Sequence, residues 1–192
     1  NEYDGEDYDA RREMPGWARA GFKDAKWEPV ELVSAPQGPL VAQMAEPLKV
    51  IETLTPKTVK ELRPGVFIYD FGQNMVGWCR LKVAGPKGSK VTIRFAETLR
   101  PNGSLYVDNL RSARSIDTYW LKGGAPEVWE PRFTYHGFRF VEVIGYPGKP
   151  TLASIDGRVV HDAMERAGTF ESSDEMLNKL HHNIFWGIRG NY

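Results

Sequence analysis

The chain has 192 residues, 41% of them hydrophobic, enough for one core of ordinary size with appended segments. Its 25 Lys and Arg balance 25 Asp and Glu, so it has no general electrostatic pull on nucleic acid or an anionic membrane, and neither partner is expected. No apolar run approaches the roughly 20 residues that span a bilayer, and a single cysteine, Cys79, excludes an internal disulfide.

The chain opens Asn1-Glu2-Tyr3-Asp4, with no initiator Met and no basic-then-apolar leader. It therefore reads as processed or trimmed, and its compartment (periplasmic, secreted or cytoplasmic) stays open. Residues 1–47 are punctuated too often by Pro and Gly for a long element, as in Pro15-Gly16-Trp17, Gly21-Phe22 and Trp27-Glu28-Pro29. From about Lys49 to Val160 the period becomes two. Val66 to Phe71 is an apolar run closed by Gly72. Cys79, Leu81 and Val83 then oppose Val76, Trp78, Arg80 and Lys82, and Val91, Ile93 and Phe95 alternate with Lys90, Thr92 and Arg94. Asp117, Tyr119 and Leu121 oppose Ile116, Thr118, Trp120 and Lys122. Val128–Glu130 with Phe133–Tyr135, and Phe138–Ile144, are further candidates. Such alternation marks half-buried antiparallel strands. Turn signals at Gly85-Pro86-Lys87-Gly88, Pro101-Asn102-Gly103, Gly123-Gly124 and Tyr146-Pro147-Gly148 separate them, and no crossover helices intervene. The fold class is all-β, an antiparallel β-sandwich of jelly-roll type. Near Ser172 the period changes again: Ser172-Ser173-Asp174-Glu175 has a capping-box pattern, and Leu177, Leu180, Ile184 and Ile188 recur at helical spacing. One amphipathic C-terminal helix is expected over roughly 173–189. Its apolar face needs a partner surface, either the sandwich or another body.

No constellation carries obvious chemistry. Glycoside hydrolysis needs two carboxylates about 5 to 10 Å apart, and the spacing of Asp70, Glu97, Glu130 and Glu142 pairs none of them. They are expected on solvent-facing strand positions or in ion pairs with Arg80, Arg94, Arg132 or Arg139. His136 is expected in a turn between strands, with a hydrogen-bonding role. His181 and His182 are adjacent on a helix and diverge. Asp4, Asp7 and Asp9 lack the glycine and terminal glutamate of an EF-hand loop. Without ligand spacing or a phosphate-cradling glycine loop, neither a metal nor a cofactor is expected. Cys79 reads as a small buried hydrophobe. Among the aromatics, Trp17, Trp27 and Trp78 are the candidates for stacking on a sugar.

Three phrases carry more. They are Tyr69-Asp70-Phe71-Gly72-Gln73-Asn74-Met75-Val76-Gly77-Trp78; Arg94-Phe95-Ala96-Glu97-Thr98-Leu99, followed by Asn109-Leu110-Arg111; and Trp129-Glu130-Pro131-Arg132-Phe133-Thr134-Tyr135-His136-Gly137-Phe138-Arg139-Phe140-Val141-Glu142-Val143. In this order they closely resemble the concanavalin-like β-sandwich domain of bacterial α-L-rhamnosidases, glycoside hydrolase family 78. The resemblance covers about 50 to 161. It implies residues 1–47 as the tail of a preceding N-terminal β-domain and linker, 48–165 as the sandwich, and 166–192 as a lead-in strand and helix toward an (α/α)6 catalytic barrel that lies outside this chain. It also implies an inverting glycosidase removing terminal α-L-rhamnose, whose general acid and base come from the barrel, so no catalytic residue is carried over here. Gly72, Gly77 and Gly137 fit turns or bulges. The expectation is a non-catalytic accessory domain of a rhamnosidase, with the barrel as its partner. The rivals are a carbohydrate-binding module acting alone on rhamnose-containing sugars, and a structural module that self-associates through its helix.

Overall fold

The computed structural model describes residues 1–192. Strands run β1 (Asp7–Asp9), β2 (Leu48–Leu54), β3 (Thr58–Arg63), β4 (Val66–Val83), β5 (Lys90–Ala96), β6 (Thr98–Leu99), β7 (Leu105–Tyr106), β8 (Ile116–Trp120), β9 (Glu127–Trp129), β10 (His136–Ile144) and β11 (Ile155–Asp162), followed by one helix, α1 (Glu175–Arg189). Nine of the strands form one curled sheet in the order β1-β8-β5-β10-β4-β11-β2, with β3 and β9 also paired to β4. The fold is all-β with a single C-terminal helix, as the patterning requires.

The curl comes from β4. The apolar runs on either side of Gly72 are one strand of 18 residues. Its first part, Val66 to Asp70, pairs with β3 and β10, and its last part, Gly77 to Val83, with β11 and β9. One strand thus serves both layers, and the register shift in β10 between Phe138 and Phe140 lets it follow the bend. Gly72 and Gly77 therefore lie inside a strand rather than in turns, Gly72 within the bulge where residues 71–74 have no partner in β10, and Gly137 lies in β10. At Gly77, φ is +151° and a Cβ would overlap the carbonyl oxygen of Arg158, so only glycine lets β11 approach here.

The alternating faces close on one core. Cys79, Leu81, Val91, Ile93, Phe95, Phe138, Val141 and Val143 are buried, and Phe138 packs edge-on against Phe95 and Phe71 at centroid distances of 4.9 and 5.7 Å. Val66 to Tyr69 are buried consecutively because the opposite face of β4 is also covered. Ile68 meets Ala96 and Leu105 under the small β6–β7 hairpin.

Four local expectations change. First, β1 pairs with β8 in parallel. Second, residues 130–135 form no strand, and Phe133 and Tyr135 are exposed; His136 is the first residue of β10, buried, and not in a turn. Third, residues 163–173 carry no strand pairing, so the lead-in strand is absent. Fourth, the helix is capped by Asp174, whose side chain accepts the Met176 N–H at 2.8 Å, while Ser172 braces that cap by accepting the Asp174 N–H at 3.1 Å. The α1 stripe Leu177, Leu180, Ile184 and Ile188 stays about half exposed, and it is Trp186 that packs on the core. No helix is long and apolar enough to cross a membrane.

Candidate functional site

The aromatic candidates gather at the N-terminal end of the molecule. Trp17 and Trp27, 61% and 47% exposed, face each other at 6.4 Å, and Phe22 leans on Trp27 at 5.9 Å. The two tryptophans, with Tyr8, Arg12 and Glu13, line a cleft of about 440 Å³. A second cleft of about 520 Å³ is lined by Trp78, Trp129, Glu6, Glu130 and Arg132, and by the same Tyr8 and Glu13. The clefts therefore adjoin across Tyr8, and all three predicted tryptophans lie along one groove.

The groove has a stacked floor. Tyr8 lies over Tyr119 at 5.9 Å with planes 10° apart, and Tyr119 lies over Trp129 at 5.1 Å and 25°. Glu127 anchors this stack by accepting the Tyr119 hydroxyl at 2.7 Å and the N–H groups of Lys122 and Gly123 at 3.1 and 2.9 Å. Burial and the Glu127 carboxylate hold the Tyr119 hydroxyl far above the usual phenol range. Burial, then Glu13, raises that of Tyr8, whose hydroxyl donates to Glu13 at 3.1 Å. The Trp78 indole N–H donates to Glu130 at 2.7 Å, and Arg158 donates to the same oxygen at 3.2 Å, so Trp78 is a fixed wall, not a mobile platform. Arg132, an expected ion-pair partner, pairs with no carboxylate. Its backbone N–H, with that of Phe133, donates to Glu6 at 2.9 Å. Sequence reasoning missed Tyr8, Glu6 and Glu13, which lie over 100 residues from the strands they join; only the acid–aromatic alternation Asp7-Tyr8-Asp9 hinted at a strand.

The other carboxylates are engaged. Arg139 holds Asp70 through two bonds of 2.8 Å, Arg94 holds the buried Glu142 at 2.6 Å, and Arg80 and Lys82 flank Asp156 at 2.6 and 2.8 Å. Glu97 accepts from Asn74 and Asn109 at 2.9 and 3.3 Å. A glycosidase's general acid needs a raised carboxyl pKa. The carboxyls that shift here, Asp9, Asp70, Glu127 and Asp156, all go down. Arg11 lowers Asp9 and Arg139 lowers Asp70; at Glu127 and Asp156 burial pushes upward but hydrogen bonds and cations outweigh it.

One arrangement imitates a catalytic triad. The His136 Nε2–H donates to Asp117 at 3.0 Å, and its Nδ1 shares a hydrogen bond of 3.1 Å with the Ser115 hydroxyl. Ser115, His136 and Asp117 are only 6%, 4% and 1% exposed, and Phe95 stacks on the imidazole at 4.2 Å. No substrate reaches a hydroxyl sealed this way, so the row is a structural tie. Cys79 is buried, and burial pushes its thiol well up, which suits packing and not nucleophilic chemistry.

Comparison with known proteins places this fold. Residues 60–161 match the bacterial alpha-L-rhamnosidase concanavalin-like domain, and residues 1–52 the alpha-L-rhamnosidase N-terminal domain. An alpha-L-rhamnosidase of Streptomyces avermitilis is 50% identical over 190 residues, covering 98% of this chain and 18% of that protein. One from Formosa agariphila is 40% identical over 197 residues, covering 99% and 21%. Among solved structures, the S. avermitilis alpha-L-rhamnosidase complexed with L-rhamnose superposes with a TM-score of 0.96 at 49% identity, over 100% of this chain and 19% of that one. The structure from Dictyoglumus thermophilum gives 0.95 at 45%, over 98% and 22%. The chain spans about a fifth of the length of these relatives. With more than half its length inside the concanavalin-like domain and the same backbone as these relatives, the chain belongs to the bacterial α-L-rhamnosidase family.

Proposed function

We propose that this chain is a non-catalytic accessory region of an α-L-rhamnosidase, an enzyme that removes terminal α-L-rhamnose from glycosides. One observation carries the reading: 50% identity extends over 98% of the chain yet occupies only 18% of the relative, whose remaining length is available for the chemistry. The engagement of the strand carboxylates by cations and amides supports it. Its partner is the catalytic (α/α)6 region, and the half-exposed Leu177, Leu180, Ile184 and Ile188 stripe of α1 is the seat we assign to that region. The test is hydrolysis of an aryl α-L-rhamnoside by the purified 192-residue chain. No turnover above buffer is expected; steady turnover that survives repurification sinks the proposal.

A second reading is favoured by the adjoining clefts. Trp17, Trp27 and Trp78 converge on one groove beside the Arg132 side chain, which pairs with no carboxylate, a lining suited to a sugar with one apolar face. This makes the domain a carbohydrate-binding module for rhamnose-containing glycans. Calorimetric titration with L-rhamnose decides it: heat that disappears in Trp27→Ala supports binding, and no heat at millimolar ligand ends it.

A further inference from the structure

We infer that residues 3–10 are a donor strand which the sandwich needs to complete its core, so that the N-terminal-domain segment and the concanavalin-like domain form one folding unit.

The backbone evidence is continuous. The N–H groups of Ser115, Ile116 and Thr118 donate to the carbonyls of Tyr3, Asp4 and Glu6 at 3.0, 3.0 and 2.8 Å. The reverse bond is made by a side chain, with the Glu6 N–H donating to Asp117 at 3.0 Å. Asp117 is the carboxylate that His136 holds, with Ser115 bonded in turn to the His136 ring, so the buried row described above has a purpose: it orients the same carboxylate oxygen that the incoming strand's Glu6 N–H meets. Glu6 then caps the N–H groups of Arg132 and Phe133, tying β1 to the segment that leads into β10. At Gly5, φ is +106° and a Cβ would overlap the carbonyl of Ile116, so the strand is fitted against β8 without room for a side chain.

The packing agrees. Ala10 is buried in the main core, and Tyr8 is the outer leaf of the Tyr119–Trp129 stack. Residues 11–49, by contrast, are exposed except for a half-buried Phe22. The connector contributes no core, so what the N-terminal segment brings to the sandwich is residues 3–10. This is strand addition to a sheet edge, in which main-chain bonds give affinity and alternate side chains fill pockets. The parallel sense fits a strand arriving from outside the sandwich's own sequence, because parallel neighbours cannot be joined by a hairpin. The boundary between the two family matches, at residues 52 to 60, is consequently not a boundary between folding units.

The test uses the full chain with a protease site inserted between Val33 and Gln37 in the exposed connector. After cleavage the two pieces are expected to co-elute at micromolar concentration and melt in one transition. Amide exchange at Ser115, Ile116 and Thr118 should stay as slow as in the uncut chain. In Gly5→Val the cut pieces should separate, and those three amides should exchange at least about tenfold faster while β4–β10 amides keep their protection. If Gly5→Val aggregates, Tyr8→Ala read by the same exchange experiment takes its place. Separation of the wild-type pieces on cleavage, or fast exchange of the β8 amides in the intact chain, overturns the inference. So does unchanged protection of those amides in both variants.

Discussion

Glu127→Ala isolates the anchor of the aromatic floor. The carboxylate accepts three bonds: from the Tyr119 hydroxyl, and from the N–H groups of Lys122 and Gly123. Tyr119 is almost wholly buried, so its hydroxyl is stranded without an acceptor. Losing a bond to a charged acceptor and leaving a buried donor unmet costs about 2–3 kcal/mol. The two backbone donors border an exposed turn where water replaces the carboxylate, and add about 0.5 kcal/mol each. The sum, about 3–4 kcal/mol, lowers the melting temperature by about 6–16 °C for a chain of this size. Tyr119→Phe removes the stranded group along with the bond and should cost only about 1 kcal/mol. The double variant should therefore be more stable than the summed single losses predict, by about 1–2 kcal/mol. Urea and thermal unfolding followed by circular dichroism measure all three. A pH arm gives the sign. The Glu127 carboxyl is held below its ordinary value, so its contribution is full above about pH 4.3, the unfolded value, and is lost as pH falls through the folded one. Glu127→Gln should flatten the acid side of the stability profile. Strict additivity with Tyr119→Phe, or an unchanged acid slope in Glu127→Gln, refutes the reasoning.

Asp156 behaves alike: Lys82 and Arg80 outweigh its burial and hold its carboxyl low, so Asp156→Asn should cost about 1–2 kcal/mol at neutral pH and progressively less below about pH 3.9. Urea unfolding from pH 7 to pH 2.5 checks this, and a loss that grows on acidification contradicts it. Trp17→Ala and Trp27→Ala should shift stability by less than about 0.5 kcal/mol each, since both rings are about half or more exposed and neither joins the buried core; a melt several degrees lower would show that they pack into something structural. Cys79 should resist iodoacetamide in the native protein and react fully in guanidinium, which mass spectrometry resolves; native alkylation would contradict its burial. On α1, Trp186→Ala should cost about 2 kcal/mol because its ring packs on the core and under Arg189 at 4.1 Å, whereas Leu180→Ser should stay within about 0.5 kcal/mol. Equal losses from the two would show the Leu180 stripe to be packed within this chain.

Short-range patterns were enough for the fold class and for most buried faces. Cys79, Leu81 and Val83 point inward as their alternation requires, and so do Val91, Ile93 and Phe95. This works because side chains on a strand alternate with a period of two whatever the strand pairs with. The helix was legible from its 3.6-residue stripe and its acidic start, to within two residues at the N-terminus. Trp17, Trp27 and Trp78 could be singled out as aromatics, but not placed together, because nothing local records which segments end up adjacent.

What tertiary structure decided is everything that depends on partners distant in the chain. Gly72 looked like a terminator, but β10 pairs across it and makes one strand of two runs. His136 looked like a turn residue, but Asp117 and Ser115, about twenty residues upstream, give it buried hydrogen-bond partners and so permit it to begin a strand. Asp117 sat on the apolar face of its strand in the alternation, and only the fold supplies the ring nitrogen and the Glu6 N–H that both meet its Oδ1, while its Oδ2 is buried without a protein partner. Asp7–Asp9 reads as an acidic loop until β8 offers it an edge more than 100 residues away. Periodicity reports which face of a segment is apolar; register, strand order and the satisfaction of buried polar groups are settled only when distant segments meet.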